Sequence, residues 1–230
     1  KNLKKMIKNF NTLLFITGVF TSALFPHPVE VDSDALRNKT MSAVRTISPP
    51  TIDGKLNDDV WLSAIVLNDF IQYEPYNLES PSVETEVRVL YDDNYIYIAF
   101  ENYDPEPSTI MDRISRRDDF EAMEKNVDWV GFGIDSNNDD MTGNWFMLTA
   151  AGVQLDVSIN ESGGWRDKYD ISWNAVWDGK THIHSKGWSA EIRVPFNVFQ
   201  FTKDDIQTWG GTFQRGYFKE IIRENKLKKK

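Results

Sequence analysis

The 230-residue sequence contains no cysteine, which excludes disulfides, a thiol nucleophile and a lipid-modified cysteine anchor. Histidine is scarce too, with three copies. Neither G-x-S-x-G nor H-E-x-x-H occurs, so the compact signatures of serine hydrolases and zinc peptidases are missing. Of the 35 Asp and Glu residues, 33 lie ahead of residue 215, and any two of them could be named a glycosidase pair. Acid count alone therefore assigns no catalysis, and the chain reads as a binding module rather than an enzyme. Also lacking is a sustained 3.6-residue apolar period of the kind that α/β winding needs, and there is no internal repeat.

Charge is plentiful but unevenly placed. Residues 1–25 carry four Lys and no acid, and residues 215–230 carry seven basic and two acidic groups. The whole sums to −9 and the two ends to +4 and +5, which leaves −18 on residues 26–214. Such a body repels phosphate backbones and anionic lipid heads, which argues against nucleic acid and favours neutral ligands or cations. Lys1, Lys4, Lys5 and Lys8 precede the apolar stretch Leu13–Phe25. A basic start followed by an apolar segment too short to span a membrane comfortably reads as a signal peptide over 1–25. Export from the cytoplasm is the expectation.

Residues 26–46, rich in Pro, Ser, Asp and Thr, read as a linker. A turn and a short helical piece follow over Ile52–Trp61, with Trp61 burying. Val66–Tyr73 reads as a strand. Thr85–Tyr91 and Tyr95–Phe100 form a hairpin around Asp92-Asp93-Asn94. Three central strands occupy Val127–Ile159. Ala175–Trp177 turns at Asp178-Gly179 and returns as Thr181–His184. Trp188–Val194 and Thr208–Arg215 close the domain, with a helical turn in Phe196–Phe201 between them, and Trp177 and Trp188 join the core. Many short strands with turn chemistry between them predict an all-β, mainly antiparallel β-sandwich or jelly roll over 47–215, with short helical turns in its loops. Residues 216–230 read as a basic tail or the start of a continuation.

The central stretch supplies the candidate site. Strand side chains alternate between faces, so Val130, Phe132 and Ile134 oppose Trp129, Gly131 and Gly133. By the same parity Val153, Leu155, Val157 and Ile159 oppose Gln154, Asp156 and Ser158. Placing the apolar sets together predicts one greasy face and one bearing an indole, two bare glycines, an amide and a carboxylate. Glycine inside a strand often marks a close approach by a ligand. A flat aromatic beside cleared space suits the C–H face of a sugar ring, with amides and carboxylates fixing its hydroxyls. The candidate aromatics are Trp129, Trp145, Trp165 and Trp173; the hydroxyl partners are Gln154, Asp156 and Asn160. The alternative for Trp129 and Trp145 is a second buried layer under the sheet.

Arg113 and Arg116, with Arg117, lie in a loop where a guanidinium could hold adjacent hydroxyls; a solvated charge run is the alternative. Asp135, Asn137 and Asp139 offer alternating oxygens of the kind calcium takes. That segment departs from an EF-hand loop, because its sixth position is Asp140 and its twelfth Phe146, and a polar hairpin turn is the plainer reading. No cofactor is required, and structural calcium is the one ion the turn suggests. His182 and His184, two apart on a strand, share a face; two exposed polar residues flanking an inward Ile183 are the plain reading.

Several of these segments, in this order, resemble family 9 carbohydrate-binding modules. Ile52-Asp53-Gly54-Lys55-Leu56-Asn57-Asp58-Asp59-Val60-Trp61 is similar to the family's opening. Val87–Ile98 resembles its first hairpin, and Asp128–Asp135 and Gly187–Phe196 resemble its later strands. The resemblance implies a β-sandwich that binds glycan, often with calcium, and that is frequently attached to glycan-degrading enzymes such as xylanases. It is nearest to the module at the N-terminus of large outer-membrane-associated bacterial proteins of unknown function, whose junction Trp209–Arg215 resembles, which would make this chain a fragment or a truncated relative. Two positions depart from sugar-binding members: Glu124, Lys125, Asn126 and Val127 stand where a stacking Trp precedes the Asp, and Met147 stands where an Arg lies in the second central strand. The expected function is an exported, non-catalytic glycan-binding module serving polysaccharide catabolism, with oligo- or polysaccharide as ligand and an outer-membrane barrel or glycan-active enzyme as partner. The alternative is a structural or docking N-terminal domain of an outer-membrane-associated protein that has lost the sugar site.

Overall fold

A computed structural model describes residues 10–12, 40–76, 79–121, 127–162, 167–204 and 206–219. Twelve strands make two six-stranded sheets. The first sheet holds β1 (Phe10–Thr12), β12 (Trp209–Gly216), β6 (Trp129–Asp135), β7 (Thr142–Thr149), β8 (Gln154–Asn160) and β9 (Tyr169–Asp170), in that order across the sheet. The second runs β10 (Asp178–His184), β11 (Gly187–Pro195), β5 (Tyr95–Tyr103), β4 (Thr85–Tyr91) and β2 (Val44–Arg45), with β3 (Val66–Leu67) also on β4. All pairings are antiparallel except β1 with β12 and β2 with β4. Helical structure among the described residues is confined to short turns, at Asp59–Ser63, Pro107–Thr109, Phe196–Val198 and two residue pairs. The all-β sandwich read from the sequence is the fold.

Apolar residues lie in three layers. Between the sheets, Val87, Val89, Ile98 and Phe100 meet Val130, Phe132, Phe146 and Leu148, together with Trp177 and Trp188. Outside the first sheet lie Val127, Trp145, Met147, Leu155, Val157 and Ile159. Outside the second, Trp61 and Ala64 cover Leu90, Tyr97 and Ala99. Both outer faces are thus partly dry, which antiparallel sheets do not require.

Local chemistry explains most boundaries. In the β4–β5 hairpin, Asp92 Oδ1 accepts from the amides of Asn94 at 2.7 Å and Tyr95 at 2.8 Å, while Tyr97 Oη donates to its Oδ2. Such side-chain capping is what selects Asp at turns.

Three expectations need correction. Residues 41–46 belong to the sandwich rather than to a linker: Met41 and Ala43 enter the central core, and Thr46 donates its amide to Tyr91 O at 2.7 Å. Asp178-Gly179 is not a turn but the start of β10, where Gly179 pairs with Ile192. The glycine is there because a Cβ would come within 3.0 Å of Leu148 and Trp177. The chain reverses instead at Ser185-Lys186, ahead of Gly187 at φ 146°. The strand expected over Val66–Tyr73 is only Val66–Leu67. Phe10–Thr12, within the stretch read as a signal peptide, pairs with Trp209–Gly211.

Candidate functional site

The outer face of the first sheet is set by register. Gly133 stands opposite Trp145, and Trp145 opposite Val157; Gly131 stands opposite Met147, and Met147 opposite Leu155. Directly paired residues share a face. Trp129, Gly131 and Gly133 therefore look the same way as Leu155, Val157 and Ile159. On the reverse face Phe132 stacks on Phe146 with ring centroids 5.0 Å apart, and Phe146 is paired with Asp156.

This corrects the expected site. Gln154 and Asp156 lie on the inner face, not beside Trp129, because the apolar set of β8 belongs with the indoles and not with Val130 and Phe132. Space above Gly131 is also taken. A Cβ on Gly131 would meet Met147 Cγ at 3.1 Å and Trp145 Nε1 at 3.2 Å, and a Cβ on Gly216 would fall inside the indole of Trp129. Gly131 and Gly216 make room for the protein's own side chains. Trp145 is 5% exposed, the second buried layer, and its Nε1 has no hydrogen-bond partner among the described residues. Trp129 packs edge to face on it at 6.2 Å and stays half-buried.

Asp156 has an internal role. Its carboxylate accepts from Ala175 N at 2.6 Å, Trp177 Nε1 at 3.1 Å and Arg117 Nη2. Arg117 also donates to Gln154 Oε1 at 2.9 Å and Ala175 O at 3.0 Å, and its Nε lies 3.3 Å from Asp118 Oδ2. Asp118, at φ 59°, returns to β8 by donating its amide to Gln154 O and accepting that of Asp156. The arginine loop is thereby tied to the edge of β8. Its tip exposes Arg113, Ile114 and Arg116.

The remaining candidates are dispersed. Asn160 is exposed and accepts from the amide and hydroxyl of Ser162 at 3.0 and 2.6 Å. Trp165 lies outside the described residues. Trp173 is half-buried, edge-on to Phe146 at 5.8 Å. Asp135 is buried, and its oxygens accept from the amides of Asn137 at 3.1 Å and Asp140 at 2.8 Å. Burial raises its pKa despite those bonds. Asp139 Oδ1 accepts the amides of Met141 and Thr142, both at 2.8 Å, and Asn137 Nδ2 donates to Thr142 Oγ1 at 3.2 Å. The segment is a polar hairpin turn. Among the described residues no three His, Cys, Asp or Glu side chains converge as metal ligands. His182 and His184 are half-buried with rings 6.1 Å apart, and His184 Nε2 lies 2.9 Å from Glu101 Oε1. Ile183, expected inward, is 38% exposed.

Two groups escaped the sequence reading. Glu191, fully buried on β11, accepts from Trp61 Nε1 at 2.8 Å, Asp53 N at 2.9 Å and Gly54 N at 2.8 Å. Burial raises its pKa against those donors. Arg215 spans the two sheets, donating to Glu84 O and Tyr103 O, and burial pushes its pKa down to about 10. The signal for Glu191 was present: a single acid inside Gly187–Pro195, with an Asp-Gly and a Trp far upstream to satisfy it.

The sequence matches the carbohydrate family 9 binding domain-like family over residues 52–210. No curated protein matches it. The fold is similar to that of a family 9 carbohydrate-binding module from Caldicellulosiruptor kristjanssonii solved with glucose, at TM-score 0.52 and 18% identity, over 76% of each chain. It is similar also to a protein of Bacteroides uniformis ATCC 8492 described as carbohydrate-binding, at TM-score 0.55 and 12% identity, over 75% of this chain and 81% of that one. With the match spanning the sandwich from the Asp53-Gly54 turn to the start of its last strand, the chain belongs to the carbohydrate family 9 binding domain-like family.

Proposed function

We propose that the domain binds glycan without catalysis, through the outer face of the first sheet around Trp129. Family membership over 52–210 is the observation that carries this reading. The glucose-bound module of similar fold supports a hexose unit as the ligand. Trp129 offers the platform, backed by Trp145; Arg113 and Arg116, with Asn160 and Trp165, are the hydroxyl-binding and stacking groups to test. Gln154 and Asp156 leave the list, because they are held inside. The test is affinity electrophoresis on a glycan panel, with and without calcium. Retardation that disappears in Trp129→Ala supports the site, and the calcium arm decides whether an ion takes part through Asp135, Asn137 and Asp139.

A second reading is a docking domain that keeps the sandwich and has lost the sugar site, attached to an outer-membrane barrel or a glycan-active enzyme. It is favoured by the way Trp145 and Met147 fill the space over Gly131. Mobility unchanged by every glycan would select it. Export follows from the basic and apolar residues of 1–25, and polysaccharide catabolism is the process served. Fractionation of cells expressing the protein, with N-terminal sequencing of the product, tests the location and whether the segment holding β1 is retained.

A further inference from the structure

The chain does not simply run off the sandwich after β12. Lys219 is 9% exposed, and its Nζ donates to Asp104 Oδ2 at 2.7 Å and to Glu106 O at 2.9 Å. The Asp104 side chain is fully buried beneath it. One residue earlier, the amide of Phe218 donates at 2.9 Å to Oδ1 of Asp128, itself 1% exposed. The other oxygen of Asp128 accepts from Met111 N at 3.0 Å, so one carboxylate joins the exit segment to the loop ahead of the arginines. Tyr217 lies between two cations, its ring centroid 5.3 Å from Arg215 and 5.6 Å from Lys219.

A lysine in a frayed tail keeps its ammonium in water, because burial without a partner is strongly unfavourable. Here the receptors come from two distant places, the end of β5 and the start of β6, and both lie buried under the exit segment. Buried ion pairs contribute more to fixing one arrangement than to net stability. The backbone is held at 218 and the side chain at 219, and Arg215 anchors the strand just before them.

We propose that Tyr217–Lys219 is a latch that sets the direction in which the chain leaves the sandwich, with Asp104 and Asp128 as its two receptors. The chain then leaves the sandwich at Lys219 from a point fixed relative to the first sheet. The inference does not depend on sugar binding.

Amide hydrogen exchange on the full chain tests it. In the unaltered protein the Phe218 amide should exchange at least about 100-fold more slowly than in an unstructured peptide. Asp104→Asn keeps the size and removes the charge, and Lys219→Ala changes a residue beyond the last strand. Each should return Phe218 to within about tenfold of the unstructured rate, while Phe132 and Leu155 keep their protection. Phe218 exchanging freely in the unaltered protein would overturn the proposal. So would full protection persisting in both variants.

Discussion

The indole N–H of Trp61 donates to Oε1 of Glu191 at 2.8 Å, across 130 residues of sequence. The amides of Asp53 and Gly54 hold the other oxygen of the same carboxylate. A Cβ on Gly54, at φ 88°, would come 2.5 Å from the backbone of Thr181, so that position accepts only glycine. Two segments that looked like separate motifs are thus the halves of one buried bond network. Trp61→Phe keeps an aromatic ring of smaller size and deletes the donor. Leaving a buried carboxylate oxygen unpaired should cost about 1–3 kcal/mol, read as a lower urea midpoint with unchanged slope.

Burial raises the carboxyl pKa of Glu191, and Glu101, Asp128 and Asp135 shift in the same direction. A carboxyl group whose folded pKa exceeds its unfolded value adds stability below the unfolded value. It loses that contribution as pH rises through the folded pKa. The contribution of these four groups to the melting temperature should therefore decline as pH rises above about 4.5. Glu191→Gln cannot titrate, so its decline should be shallower, with a lower melting temperature at pH 7 because the amide offers one acceptor to three donors. An equal slope in both proteins would assign the pH dependence elsewhere.

The strand boundaries and the sandwich were legible because turn residues and alternation are local. The face of β8 was not. Leu155, Val157 and Ile159 alternate cleanly, but alternation names two faces without saying which is inside. The register that decides it is fixed by the turn after Thr149, where Gly152 N donates to Thr149 O at 2.8 Å. One cue was present and went unused. Trp145-Phe146-Met147-Leu148 is apolar at four successive positions, the pattern of a strand covered on both faces. A sheet with two dry faces has no free side for Gln154 and Asp156 to share with Trp129. Glu191 was hidden for a related reason: an acid in an alternating strand reads as solvent-facing, unless a distant segment is known to cover it.

Gly216→Ala would drive a methyl group into the Trp129 indole, against its Nε1, while Gly131→Ala meets Met147 Cγ at 3.1 Å and Phe146 O and Trp145 Nε1 at 3.2 Å. The first should destabilise by about 1–3 kcal/mol, and the second by less. If Trp129 carries the sugar, Gly216→Ala should also abolish retardation by any glycan the unaltered protein binds, with Gly131→Ala close to wild type.

Arg117→Met keeps the stem but removes the donors to Gln154, Asp156 and Ala175. Asp156 is left with Ala175 N and Trp177 Nε1, so a loss of about 1.5–3 kcal/mol is expected on chemical denaturation. Glycan retardation measured well below the melting temperature should not change, since this guanidinium is already committed to Gln154, Asp156 and Ala175. Lost retardation in a folded variant would return Arg117 to the ligand face.

Arg215 reaches from the last strand to carbonyls at the end of β5 and ahead of β4, on the opposite sheet. Ribosomes deliver that residue after nearly everything it fastens. The nascent polypeptide must wait, with its two halves associated but unclamped, until β12, the second strand partner of β6, has emerged. Chaperone contact during biogenesis is therefore expected to concentrate on intermediates that lack β12.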